Sequence, residues 1–363
     1  MTRLRLLVAG LAAALATASL VAVAPPAGAS APAPLHVAVG GTGGSCTAAA
    51  PCGTFQAAYA LAQPGQAVVV RGGTYPAQTL KPASRHVAGG PVVFSPAPGA
   101  AVTVSTLVEV LAPDVVLRDL TVVGRVRLRE AAAGSRLEQS TVTGGSVLVD
   151  APRSAVVASV IQPGVGQDGI NVRYGSQVLL QGNRIGPGTR GSTGAHVDCI
   201  QVMGGSDIRI LDNELVRCPT QQLHVKPDLQ PISRVLVEGN RITGCGQRTT
   251  ACDGYVSIDV RTAGHPVRDV VVRGNVIAGT AYMEDVPGLR VQHNRISWFS
   301  RCGSWATDNT VLAVGSACRQ PVGTSPTAPA DGWAPPAART AGAGTSRVPS
   351  ASLTPTRPVL RAR

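Results

Sequence analysis

The chain has 363 residues, of which 3% are aromatic and 14% charged, and a formal net charge of +12. Arg3 and Arg5 carry two of those charges and the segment from Arg319 a net five, so the body keeps +5. With no nucleic-acid motif and Arg scattered along strand-like stretches, this balance excludes a nucleic-acid-binding protein; it suits an anionic substrate without demanding one.

Residues 1–29 read as a secretion signal peptide. Arg3 and Arg5 give the positive start, Leu6 to Ala24 an uncharged apolar run, and Ala27-Gly28-Ala29 a small-residue cleavage pattern after Pro25-Pro26. No later stretch is long and apolar enough to span a bilayer. A secreted, extracellular protein without a membrane span is therefore expected, and a monomer. Eight Cys in an exported chain point to disulfides. Cys46 and Cys52 enclose a short loop, as do Cys245 and Cys252. Cys302 and Cys318 flank the end of the folded region, which leaves Cys199 and Cys218 in neighbouring repeats. No C-x-x-C pair occurs, which speaks against structural zinc.

Thr54 to Ala62 places Phe55, Ala58, Tyr59 and Ala62 on one helical face, with Thr54 as N-cap. Such a helix would cover the open end of a solenoid, which otherwise exposes apolar core and unpaired edges. From residue 117 a phrase recurs, as in LRDLTVVG, LEQSTVTG, LLQGNRIG, VLVEGNRITG and VQHNRIS. Its central residues are Leu120, Ser140, Ser159, Asn183, Asn213, Asn240, Asn275 and Asn294, spaced 19 to 35 residues apart. A unit near 20 residues with variable insertions marks a solenoid whose turns tolerate loops. Each phrase reads as strand, tight turn, strand. Asn suits the corner because its side chain bonds nearby backbone and tolerates the left-handed conformation, and stacked Asn side chains can bond from rung to rung. Residues 30–318 are therefore expected to form one all-β domain, a right-handed parallel β-helix with an N-terminal capping helix. Residues 319–363, rich in Pro, Ala, Thr and Arg without periodicity, are expected to be disordered.

The segment GTGGSCTAAAPCGTFQAAYALAQPGQAVVVRGGTYPAQTL (41–80) resembles the N-terminal part of secreted right-handed parallel β-helix repeat proteins of the pectate-lyase-like superfamily. There a short loop leads into a cap helix, and a Pro-Gly turn, a strand and a G-T-Y phrase follow. Here Pro64-Gly65, Val68 to Val70 and Gly73-Thr74-Tyr75 match. With the Gly-Asn repeats the resemblance covers roughly residues 38–300. It is specific for fold and weak for activity, since the superfamily hosts lyases, hydrolases, epimerases and non-catalytic proteins. The chain lacks the Asp-Asp and Gly-His-Gly pattern of polygalacturonase-type hydrolases and the Asp-Pro-His phrase of alginate epimerases. The regular Asp and Arg pattern of classical pectate lyases is not evident.

Counting back from each Asn corner gives the strands GINVR (169–173), CIQVM (199–203), QLHVK (222–226), SIDVR (257–261) and AYMED (281–285). Alternation predicts two inward apolar columns: Ile170, Ile200, Leu223, Ile258, Ala281 and Val172, Val202, Val225, Val260, Met283. Between and beyond them, Asn171, Gln201, His224, Asp259, Tyr282 and Arg173, Met203, Lys226, Arg261, Glu284 point outward. With rungs about 4.8 Å apart these form one polar patch. His, Lys, Arg, Asp and Tyr within reach of each other suit proton abstraction and donation on a sugar acid. Lys226 is one of two lysines in the chain, and crowding by Arg173 or Arg261 would favour its basic form. Asp168 and Asp198 occupy matching places one rung apart and would share a proton, bind a cation such as Ca²⁺, or cap their own turns.

The leading functional expectation is a polysaccharide lyase acting on an anionic polysaccharide. Lys226 or His224 would abstract the C5 proton, Arg173 and Arg261 would neutralise the uronate carboxylate, and Tyr282 or His224 would protonate the leaving oxygen. Asn171, Gln201, His196 and Glu284 would bind substrate, and Asp168 and Asp198, with Asp259, would hold Ca²⁺. A two-carboxylate glycoside hydrolase or epimerase, using Asp259 with Glu284 or Asp198, remains open. So does a non-catalytic glycan-binding or cell-surface protein.

Overall fold

A computed structural model describes residues 32–84, 90–245, 252, 256–313 and 315–318. The signal expected at 1–29 and the disordered tail expected at 319–363 lie outside the described residues.

Short Val-, Ile- and Thr-rich runs leave each strand no room to pair with itself, so each pairs with the same position one coil later, in parallel. One face is a twelve-stranded sheet among the described residues, from Leu35–Val37 to Ala306–Thr307. The other strands line two further faces, joined by long strands such as Val102–Val110 and Val276–Met283. The first half of Val102–Val110 pairs with Gly73–Tyr75 and the second with Gln78–Leu80. Thr106, left-handed at φ 69°, bends the strand between them. The chain is a right-handed parallel β-helix, the hand that right-twisted strands favour.

The cap helix runs over Phe55–Leu61, and Thr54 Oγ1 accepts the Ala57 amide at 3.1 Å. Phe55, Ala58, Tyr59 and Ala62 are buried as expected. Phe55 stacks on Phe94 at 5.1 Å between ring centroids and tilts against Tyr75 at 5.6 Å, so the helix closes the first coils. Each such ring removed from water contributes roughly 1.5–3 kcal/mol.

The Asn ladder forms. Nδ2 of Asn183, Asn213, Asn240, Asn275 and Asn294 each donates to Oδ1 of the next Asn, ending at Asn309, over 2.9 to 3.0 Å. Each Oδ1 also accepts the backbone N–H of the preceding Asn. Upstream, Ser140 and Ser159 hydroxyls replace the amide acceptor. One expectation needs correcting. The left-handed residue is the one before each Asn: Gly182, Asp212, Gly239, Gly274, His293 and Asp308, with φ from 54° to 70°. The Asn itself already leads into the next strand and contributes its side chain to the stack.

All four expected disulfides are present: Cys46–Cys52, Cys199–Cys218, Cys245–Cys252 and Cys302–Cys318.

Candidate functional site

The strands Ile170–Val172, Ile200–Val202, Leu223–Val225, Val256–Val260 and Val276–Met283 stack in the register that alternation predicts. Both inward columns are buried. Asn171, Gln201, His224, Asp259 and Tyr282 are consecutive partners on the opposite side. The next outward column keeps step, since the amides of Met203, Lys226, Arg261 and Glu284 donate to carbonyls one rung earlier.

The centre of this face is Asp198, two residues before the Ile200 strand and fully buried. The Cys199–Cys218 disulfide ties its rung to the next turn, and the Val197 amide donates to Thr220 Oγ1 at 2.8 Å. These anchors bring the end of the 186–197 insertion back onto the face. Asp198 Oδ1 accepts the Gln221 amide at 2.8 Å. Its Oδ2 lies 3.1 Å from His224 Nδ1 and 3.3 Å from His196 Nδ1. The two imidazole centroids are 5.5 Å apart. The rings differ in access: the His224 side chain is 5% exposed and that of His196 50%. Among the described residues His224 Nε2 has no hydrogen-bond partner, and it faces Asp259 Oδ2 at 3.8 Å. Asp259 is also fully buried, and its Oδ2 takes Arg261 Nε at 2.7 Å and Gln221 Nε2 at 3.4 Å. Arg261 in turn lies over the Tyr282 ring at 4.9 Å, with Arg301 over the same ring at 5.4 Å.

The charges follow from these neighbours. Burial alone would raise the Asp198 carboxyl, but bonds to His196 and His224 hold it below its ordinary value. The same bond to Asp198 raises His196. Burial pushes Asp259 up, more than Arg261 pulls it down. Burial, helped by the Asp198 charge, pushes Asp168 up to about 6. Glu284 is held low against its burial by the hydroxyl and amide of Thr262, at 2.6 and 2.7 Å.

Several expected groups have other partners. Lys226 Nζ pairs with Asp228 at 2.7 Å. Asp228 also accepts from Gln201 at 3.3 Å. Arg173 forks onto Asp150, one rung earlier, at 2.8 and 3.0 Å. Asp168 Oδ1 accepts the Asp198 backbone amide at 2.6 Å. Asn171 bonds Asp168 in the same corner. Gln221 was missed, although it stands two residues before an inward Leu, as Asp168 and Asp198 stand before inward Ile residues. That offset was the available signal. Nothing in the sequence marks Arg301 as a neighbour of Tyr282.

For a cation, the face offers His196, Asp198 and His224, with one ligand atom from each lying within 4.8 Å of the others. Two nitrogens and one oxygen do not suit Ca²⁺, which takes six to eight oxygens. Asp168 Oδ1 and Asp198 Oδ1 already accept backbone amides, at 2.6 and 2.8 Å.

No protein-family model matches this chain. No curated protein matches it either. Among solved structures, it is similar to a pectate lyase, Pel9A, with 14% identity over 81% of this chain and 80% of that one at a TM-score of 0.40. A rhamnogalacturonan lyase aligns with 11% identity over 78% and 86% at 0.42. PfbA, a surface adhesin of Streptococcus pneumoniae, aligns with 11% identity over 67% and 71% at 0.39. These likenesses concern the coil architecture.

Proposed function

We propose that this chain is a secreted, carbohydrate-active enzyme that removes a proton beside a carboxylate of an anionic polysaccharide, a lyase-type elimination. The observation that carries the reading is the half-exposed His196 imidazole seated on the fully buried Asp198 carboxylate. A base must reach substrate, and His196 does so where His224 does not. Asp198 fixes the ring through Nδ1 and stabilises the imidazolium that forms when His196 takes the proton. Arg261, 41% exposed and fixed by Asp259, stands one rung beyond His224 and supplies the fixed positive charge that makes a proton beside a carboxylate more acidic. Tyr282, under two guanidiniums, is the donor to the leaving oxygen.

The hydrolase reading is weaker on this geometry. Asp198 and Asp259 are fully buried, so they do not flank a scissile bond, and Glu284 Oε2 accepts from the amide and hydroxyl of Thr262. Four disulfides accord with an oxidising, extracellular setting.

The test is an elimination assay, following the ultraviolet absorbance of the unsaturated sugar ends over a panel of uronate polysaccharides. Wild-type protein is expected to produce signal without added Ca²⁺. His196→Ala is expected to lose about 10²–10⁴-fold, with unchanged circular dichroism. No signal and no new reducing ends on any substrate would leave a glycan-binding surface as the reading; full activity in His196→Ala would remove His196 as the base.

A further inference from the structure

Two imidazole nitrogens converge on one carboxylate oxygen here, and that pattern has a second chemical meaning. A tetrahedral ion with ligand bonds of about 2.0–2.2 Å holds its ligand atoms about 3.3 Å apart. The His224 Nδ1 and His196 Nδ1 contacts to Asp198 Oδ2 are 3.1 and 3.3 Å. Two of the three separations are therefore those of a tetrahedral site, and all three atoms lie within 4.8 Å of one another. We infer that His196 Nδ1, Asp198 Oδ2 and His224 Nδ1 form a site for one divalent transition-metal ion of zinc's class, with a fourth position open on the His196 side.

A second observation supports the ion independently. His224 is buried, and its Nε2 faces the Asp259 carboxylate without a hydrogen bond. If Nδ1 carries the proton toward Asp198, a lone pair on Nε2 confronts Asp259 across 3.8 Å. If Nδ1 gives its lone pair to a metal, the proton moves to Nε2 and points at that carboxylate. A ligating His with its other N–H on a carboxylate is the usual outer arrangement of such sites. Arg261 and Gln221 then hold Asp259, and the Gln221 amide holds the other oxygen of Asp198. All eight Cys are in disulfides, so no thiolate competes for the ion.

The site does not depend on the proton-transfer reading, but it bears on it. A metal that takes the Nδ1 lone pair of His196 breaks its contact with Asp198, so the loaded form should be the inactive one.

The experiment is calorimetric titration of untagged, metal-stripped full chain with zinc chloride, repeated with Co²⁺ for its visible spectrum. One equivalent of Zn²⁺ is expected, with a tetrahedral Co²⁺ spectrum and no competition from excess Ca²⁺. The exposed variant His196→Ala should lose at least tenfold in affinity while keeping its fold. Asp259→Asn, which touches no metal, should lose about 10–100-fold. Absence of stoichiometric binding, or equal binding by His196→Ala, overturns the site and leaves the lyase reading standing. A protein that binds zinc but eliminates no uronate keeps the site and loses that reading. Undiminished elimination at saturating zinc overturns the inactive loaded form.

Discussion

An imidazole between two carboxylates can give its proton to only one of them unless it carries two. His224 is in that position, with Asp198 on Nδ1 and Asp259 beyond Nε2. The second carboxylate is tolerable only because Arg261 neutralises it from the solvent side. Removing Arg261 would leave Asp259 buried and unpaired, which costs about 3–5 kcal/mol in a dry interior. The Arg261 side chain is 41% exposed, so screening reduces this to roughly 1–3 kcal/mol. Arg261→Met is expected to lower urea-unfolding stability by that amount. The double variant Arg261→Met/Asp259→Asn should recover most of it, because the charge that needed a partner is gone. Additive losses in the two single variants would mean that the pair is not coupled.

At the scale of elements, the corner ladder and the cap helix each rest on groups that would otherwise be orphaned. Asn240 donates to Ile210 O and Asn275 Oδ1 and accepts the amide of Asn213, all in the interior. Asn240→Ala strands these partners and is expected to cost about 2–4 kcal/mol, as two or more buried groups lose their bonds. Asn240→Ser should cost about half as much, since serines at positions 140 and 159 already accept the same amide. On the cap, Tyr59 donates its hydroxyl to Pro113 O at 3.0 Å. Burial, with Asp114 nearby, raises its phenol from 10.0 to about 12. A raised folded value means the folded state holds the proton more tightly. The stabilisation is complete below pH 10.0 and is lost as pH rises toward about 12. Thermal melts should show wild-type stability falling more steeply across that window than Tyr59→Phe, which at neutral pH is about 1 kcal/mol weaker. Parallel pH slopes for the two proteins would remove Tyr59 as the cause.

Across the whole molecule, what could be read in advance was whatever repeats. The register of Asn171, Gln201, His224, Asp259 and Tyr282 follows from alternation of period two, because a one-residue slip would turn them into the apolar core and the Ile and Val columns out of it. The partners were hidden because they come from outside the repeat. Asp228 lies in the turn after Lys226, Asp150 on the preceding rung, and His196 at the end of an insertion whose return depends on Thr220 and a disulfide. The same repetition governs stability. Each coil touches only its two neighbours, so its protection depends on where it stands in the stack. The Thr310–Val311 strand has a described neighbour on one side only, through Arg295 and Ile296. Cys302–Cys318 clamps that end. Amide hydrogen exchange should therefore be fastest at Thr310 and Leu312 and slowest near Asn213 and Asn240. The double variant Cys302→Ser/Cys318→Ser should spread fast exchange inward to Val291 while the amides of Ile200 and Lys226 stay protected. Equal loss of protection at both ends and centre would mean that the coils unfold as one unit, and a perturbation at the open end would then reach His196 and Asp198 directly.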